Sequence, residues 1–162
     1  MRRAAIGLLV LVTLVSVPSV AAGAGGREVV FADHVDVVDT LAHCGSFDVV
    51  DHAIADFTGI LYFDSAGEPR RFRLRIDGTD TLSSSAGGPS YSSPNVLTYT
   101  EDMAQNRAWK TGVAFSVTVP KYGRVLTDVG VIMFDENGIT VHGRHDAMSG
   151  DLSALCAPFE AA

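Results

Sequence analysis

Residues 71 to 76 read Arg-Phe-Arg-Leu-Arg-Ile, a strict alternation of charge and apolar bulk. Only a backbone with a two-residue repeat places Arg71, Arg73 and Arg75 on one face and Phe72, Leu74 and Ile76 on the other. A helix would scatter them. The same parity governs the preceding segment, where Phe47, Val49, Ala53, Ala55, Phe57, Leu61 and Phe63 share a face interrupted by Asp51 and Gly59. Asp48, His52, Asp56, Thr58 and Tyr62 fall on the opposite face, and Gly59 marks a bend within one long strand or a join between two. Further on, Thr111, Val113, Phe115, Val117 and Val119 alternate with Gly112, Ala114, Ser116 and Thr118.

Turn chemistry separates these runs. Asp64-Ser65-Ala66-Gly67 and Pro120-Lys121-Tyr122-Gly123 punctuate the chain, and residues 83 to 94 read as a loop rich in Ser, Gly and Pro. Strands are expected over 96 to 103, 124 to 134 and 139 to 144, with a hairpin turning at Asn137-Gly138. Asp151 to Cys156 reads as one helical turn. Successive strands with short connections and no internal helix give an all-β antiparallel meander. Closing it removes the exposed edges, so the expected fold is a small β-barrel of about six to eight strands.

The first residues are not part of that domain. A basic start at Arg2 and Arg3, an apolar run over 6 to 17 and small residues up to Gly26 match a secretory signal. The run is about 12 residues, against the ~20 that a membrane span needs. The reading is a signal peptide over 1–24 cleaved after Ala24, an N-terminal extension over 25–43 and a barrel domain over 44–162. In the extension, Phe31, Val35, Val38 and Ala42 have helical spacing, yet Val29-Val30-Phe31 suits a strand equally well. Leu41-Ala42-His43-Cys44 fails as a lipid-attachment site, because His43 stands where a small residue belongs and no apolar run precedes it.

A secreted or extracytoplasmic chain can keep disulfides, and the two cysteines, Cys44 and Cys156, lie near opposite ends of the domain. They read as one bond tying the ends together. Without Arg2 and Arg3, ten basic residues remain against nineteen acidic ones, a net charge of −9. Such a surface disfavours nucleic acid and anionic lipid, and no stable membrane insertion is expected after cleavage.

Three pieces, Cys44-Gly45-Ser46-Phe47-Asp48-Val49, the run from Gly112 to Gly130, and Gly143-Arg144-His145-Asp146, resemble a group of small secreted β-rich bacterial proteins, mostly actinobacterial. The resemblance implies secretion and a β-rich fold, and carries no activity. Lipocalins, allene-oxide cyclases and dirigent proteins are similar in shape only. The lipocalin Gly-x-Trp signature is missing, and Trp109 sits mid-chain instead.

The polar candidates cluster near the C-terminal end. Asp128 lies between apolar neighbours and needs a partner if enclosed, with Arg144 or Arg124 as its natural counterpart. His145 beside Asp128 or Asp146 is a candidate acid–base pair. His142 and His145 diverge on an extended strand, so no metal is expected, and no cofactor motif is present. Asp128, Arg144 and His145 are therefore the candidate catalytic residues of a barrel-type isomerase or cyclase. The Arg71, Arg73 and Arg75 face is expected to be solvated, with Asp48, Asp56 or Tyr62 as cross-strand partners. An interior lined by Phe47, Phe57, Phe63, Phe72, Leu74, Tyr99, Phe115 and Val117 suits a small hydrophobic molecule. Binding of such a molecule is the leading reading, ahead of catalysis. A cell-envelope or protein-interaction domain with a filled core is the remaining alternative.

Overall fold

The computed structural model describes residues 25–149 and 152–160. The signal segment and its cleavage point after Ala24 lie outside them. Seven strands follow one another and pair in chain order as one antiparallel sheet. They are β1 (Arg27–His43), β2 (Asp48–Phe63), β3 (Pro69–Ser84), β4 (Ser90–Asp102), β5 (Arg107–Val119), β6 (Gly123–Asp135) and β7 (Gly138–His145). Three short turns of helix end the chain: α1 (Asp146–Ser149), a 3-10 turn (Ser153–Leu155) and α2 (Ala157–Glu160). The segment read as an extension is thus the first and longest strand. The expected Ser-rich loop shrinks to a tip, since β3 and β4 extend to Ser84 and from Ser90.

The sheet is not a closed barrel, which corrects the expectation. Among the described residues, β1 pairs only with β2 and β7 only with β6. β7 has eight residues against seventeen in β1, and after His145 the chain turns into α1, which packs on β6. Edge exposure is managed locally instead. β1 carries Asp33, His34, Asp36 and Asp39, and register breaks at Val29/Phe31 and Thr40/Ala42 interrupt its ladder. Charges and bulges of this kind blunt an edge against further pairing.

Register assigns the faces. Asp51, Ala53, Ala55 and Phe57 of β2 stand opposite Leu82, Asp80, Gly78 and Ile76 of β3. These continue into Tyr91, Ser93, Asn95 and Leu97 of β4. This inner face is the more buried one along β3, while Arg71, Arg73 and Arg75 are exposed on the outer face, as their alternation predicts. With no second sheet among the described residues, one face is sheltered only if the sheet curls over itself. The rings of Phe31 on β1 and Phe72 on β3 lie 6.2 Å apart over that face. Phe31 crosses β2 at Gly59, where any side chain would collide with its ring.

A second device sharpens the curl. Gly112, Gly130 and Gly143 are register neighbours across β5, β6 and β7, with φ of 124°, 138° and 110°. A Cβ at each would strike a backbone carbonyl oxygen of the adjoining strand: Val96, His142 and Val129 respectively. Glycine alone tolerates both the backbone angle and the approach.

The core sits at one end. Phe47, Val49, Leu82, Val117 and Leu126 are buried there together with Leu155 and Phe159 from the C-terminal turns. Each such side chain contributes roughly 1.5–3 kcal/mol by leaving water. Tyr91 meets Phe159 edge to face at 5.5 Å. The Cys44–Cys156 disulfide, spanning 112 residues with Cα atoms 5.5 Å apart, ties the end of β1 to these turns.

Candidate functional site

Beyond the filled end, the inner face carries polar side chains in two groups. The first lies on β5, β6 and β7. His145 stands opposite Asp128 in register, and its Nδ1 bonds Asp128 Oδ1. Its Nε2 meets the His142 carbonyl oxygen at 3.2 Å. Lys110 Nζ approaches the other Asp128 oxygen at 3.5 Å. The His145 and Asp128 side chains are only 4% and 8% exposed, so each must satisfy the other within the fold. A carbonyl can only accept, so Nε2 points its hydrogen bond at His142 while Nδ1 faces Asp128 Oδ1. Both ring nitrogens are thus engaged inside the protein. This group locks three strands in register.

Arg144 is not part of it. Opposite Val129, it stands on the outer face and bonds Asp146 Oδ1 at 2.8 Å. That hydrogen bond raises the arginine further and holds the Asp146 carboxyl below its usual range. The expected Asp128–Arg144 pair is therefore replaced by Asp128 with His145 and Lys110. Of the three catalytic candidates, Asp128 and His145 meet as expected, and Arg144 does not join them. His142, opposite Val131, also faces outward, and among the described residues no three His, Cys, Asp or Glu side chains gather as a metal site.

The second group lies on β2, β3 and β4. Asp80 is 1% exposed, and its Oδ1 accepts a long 3.4 Å bond from the Asn95 amide. Asp51 Oδ1, Asp80 Oδ2 and Asn95 Oδ1 are buried with no hydrogen-bond partner among the described residues. Burial, with the Asp80 and Asp39 carboxylates adding to it and His52 opposing, pushes Asp51 up to about 7. Burial likewise raises Asp80 to about 6 against the opposing Asn95 bond. Unsatisfied buried acceptors are costly and uncommon, each on the order of 1–3 kcal/mol. Three converging on one face mark a place where a donor is missing.

The expected pocket residues divide around this trio. Phe47 and Val117 belong to the buried core, and Phe115 packs against it. Phe57, Phe72, Leu74 and Tyr99 are half-buried on the inner face beyond the trio, and Phe63 lies at the β2–β3 turn. Burial, and then Glu101, raise the Tyr99 hydroxyl. The inner face opens beside Tyr99, Glu101, Ala108 and Phe134 into a depression of about 430 Å³. From Tyr99 to Asn95 along β4 is about 14 Å at ~3.4 Å per residue.

Sequence reasoning placed Asp51 on the apolar face of its strand and Asp128 between apolar neighbours, but missed Asp80, Asn95 and Lys110. Asp80 shares the Phe72-Leu74-Ile76 parity, which was the available signal. No protein-family model, curated protein or solved structure matches the chain.

Proposed function

We propose that this chain is an extracytoplasmic binding module for a small, largely apolar molecule carrying a hydrogen-bond donor at one end. The observation that carries the reading is the trio of unpartnered oxygens on Asp51, Asp80 and Asn95, next to the half-buried Phe57, Phe72, Leu74 and Tyr99. Apolar walls with a few placed polar groups are the usual make-up of a ligand site. The ligand enters beside Tyr99 and Phe134, lays its body along β3 and β4, and directs its donor to the carboxyls. A disulfide and the lack of a membrane-crossing helix among the described residues are compatible with work outside the cytoplasm.

Calorimetric titration with decylammonium and with decanoate tests this. The ammonium is expected to bind, the carboxylate to bind at least about tenfold more weakly, and Asp80→Ala to remove the difference. Equal affinity for both probes, or none for either, would refute the reading.

A further inference from the structure

The outer face holds a second, chemically different surface. Arg71 and Arg73 are exposed, yet neither makes an ion pair among the described residues. Their expected acidic partners are engaged elsewhere, while Tyr62 stands opposite Arg71 in register. Asp56 bonds His34 at 2.8 Å and Asp48 bonds His43 at 2.8 Å. Asp102, opposite Arg71, accepts from the Ala104 and Gln105 amides at 3.1 Å. Only Arg75 is paired, with Asp77 on its own strand at 2.7 Å. Arg73 stands between Ile60 and Thr100, with no acid beside it in register.

These arginines lie in a continuous groove. A depression of about 320 Å³ is lined by Tyr62, Arg71, Arg73, Thr98, Trp109 and Thr111. Through Tyr62 and Arg73 it joins one of about 530 Å³ containing Arg27, Asp56, Thr58, Arg75 and Asp77. Through Tyr62 and Arg71 it joins a third of about 300 Å³ reaching Arg70 and Gln105. The groove thus crosses from β1 to β5, a path for a linear molecule.

Its chemistry is mixed. Unpaired guanidinium groups, about 6.8 Å apart along β3, fit carboxylates in a bidentate manner. The Thr98, Thr111 and Thr58 hydroxyls and the Asp56 and Asp77 carboxylates can exchange hydrogen bonds with hydroxyl groups. Tyr62 and Trp109 offer flat apolar surface with a polar tip, and Arg107 lies 5.7 Å from the Trp109 ring. A densely charged polyphosphate would meet Asp56, Asp77 and a chain that is acidic overall, with a net charge of −7. A polymer with spaced carboxylates and many hydroxyls can set its carboxylates at Arg71 and Arg73 and its neutral hydroxyls against Thr58, Asp56 and Asp77. We propose that the outer face of β2–β5 binds an acidic, uronate-containing linear polysaccharide, with Arg71 and Arg73 holding its carboxylates.

Affinity electrophoresis of the full chain through gels containing polygalacturonate, dextran or dextran sulfate tests this. Retardation is expected in polygalacturonate and not in dextran. Arg71→Gln and Arg73→Gln are each expected to weaken it about tenfold, the size of one charge-assisted contact. Both positions are exposed, so the melting temperature should stay within a few degrees of the parent, confirming that the variants fold. No retardation in polygalacturonate, or retardation that persists in the double variant, overturns the proposal. Binding to dextran sulfate alone also overturns it, because charge density rather than the carboxylated glycan would then be what is recognised.

Discussion

At Asp128 the carboxylate meets two basic side chains on neighbouring strands, His145 and Lys110. Removing it strands both, so Asp128→Ala is expected to cost roughly 3–5 kcal/mol in urea denaturation. His145→Ala should be comparably damaging, whereas the exposed His142→Ala should stay within about 1 kcal/mol. Asp51 and Asp80 behave in the opposite sense. Their folded values, about 7 and about 6, lie above the 3.8 of an ordinary aspartate. The folded chain therefore holds more protons than the unfolded chain from about pH 4 to pH 7, and stability falls as pH rises through that window. Asp146, held low, adds stability that is lost only on further acidification. Thermal melts are expected to show greater stability at pH 5 than at pH 8, by on the order of a few kcal/mol. Asp51→Asn should flatten that slope and raise the melting temperature at pH 8. An unchanged slope would mean that Asp51 ionises freely in the fold.

At the scale of the strand, alternation was legible wherever one face is sheltered. Arg73→Gln, on the solvated face of β3, is expected to shift stability by under ~1 kcal/mol, and equilibrium denaturation checks it. Parity failed as a guide where register slips. In β5 the irregularity between Val113 and Phe115 turns those two residues to opposite faces, although they sit two apart in the chain. That slip is invisible in the residue pattern, and with it went the pairing of Lys110 with Asp128. In β1 the ambiguity had a different cause. As an edge strand it leaves Val29, Val37 and Val38 exposed, so neither helical nor strand periodicity stands out. Asp80 escaped notice because an acid inside an apolar alternation reads as the end of a strand, whereas β3 continues through it to Ser84.

Over the whole molecule, the Cys44–Cys156 bond was legible from position alone, and closure was not. The residue pattern places the last strand over 139 to 144 and it is seen over Gly138–His145, but its extent does not say whether it reaches the far edge of the sheet, which depends on the curl of all seven strands. The disulfide should matter because it joins residues 112 apart in sequence, and loop-closure entropy grows with the logarithm of that length. Cys156→Ser is expected to cost about 4–5 kcal/mol on the chain-entropy view, seen as a markedly lower melting temperature. Two free thiols in denatured, unreduced protein would remove the premise.

The three register-aligned glycines have a consequence that reaches past their own strands. Gly112, Gly130 and Gly143 act as a single hinge line scored across the last three strands, like a fold pressed into card. A card scored at two points out of three does not fold along the line. Their requirements are thus shared: an alanine at any one of them should flatten the same curl, swing the Lys110–Asp128–His145 lock out of line, and widen the mouth beside Phe134. Such a variant would keep its strands by circular dichroism while losing its shape. Three positions far apart in the chain would then tolerate substitution as though they were one.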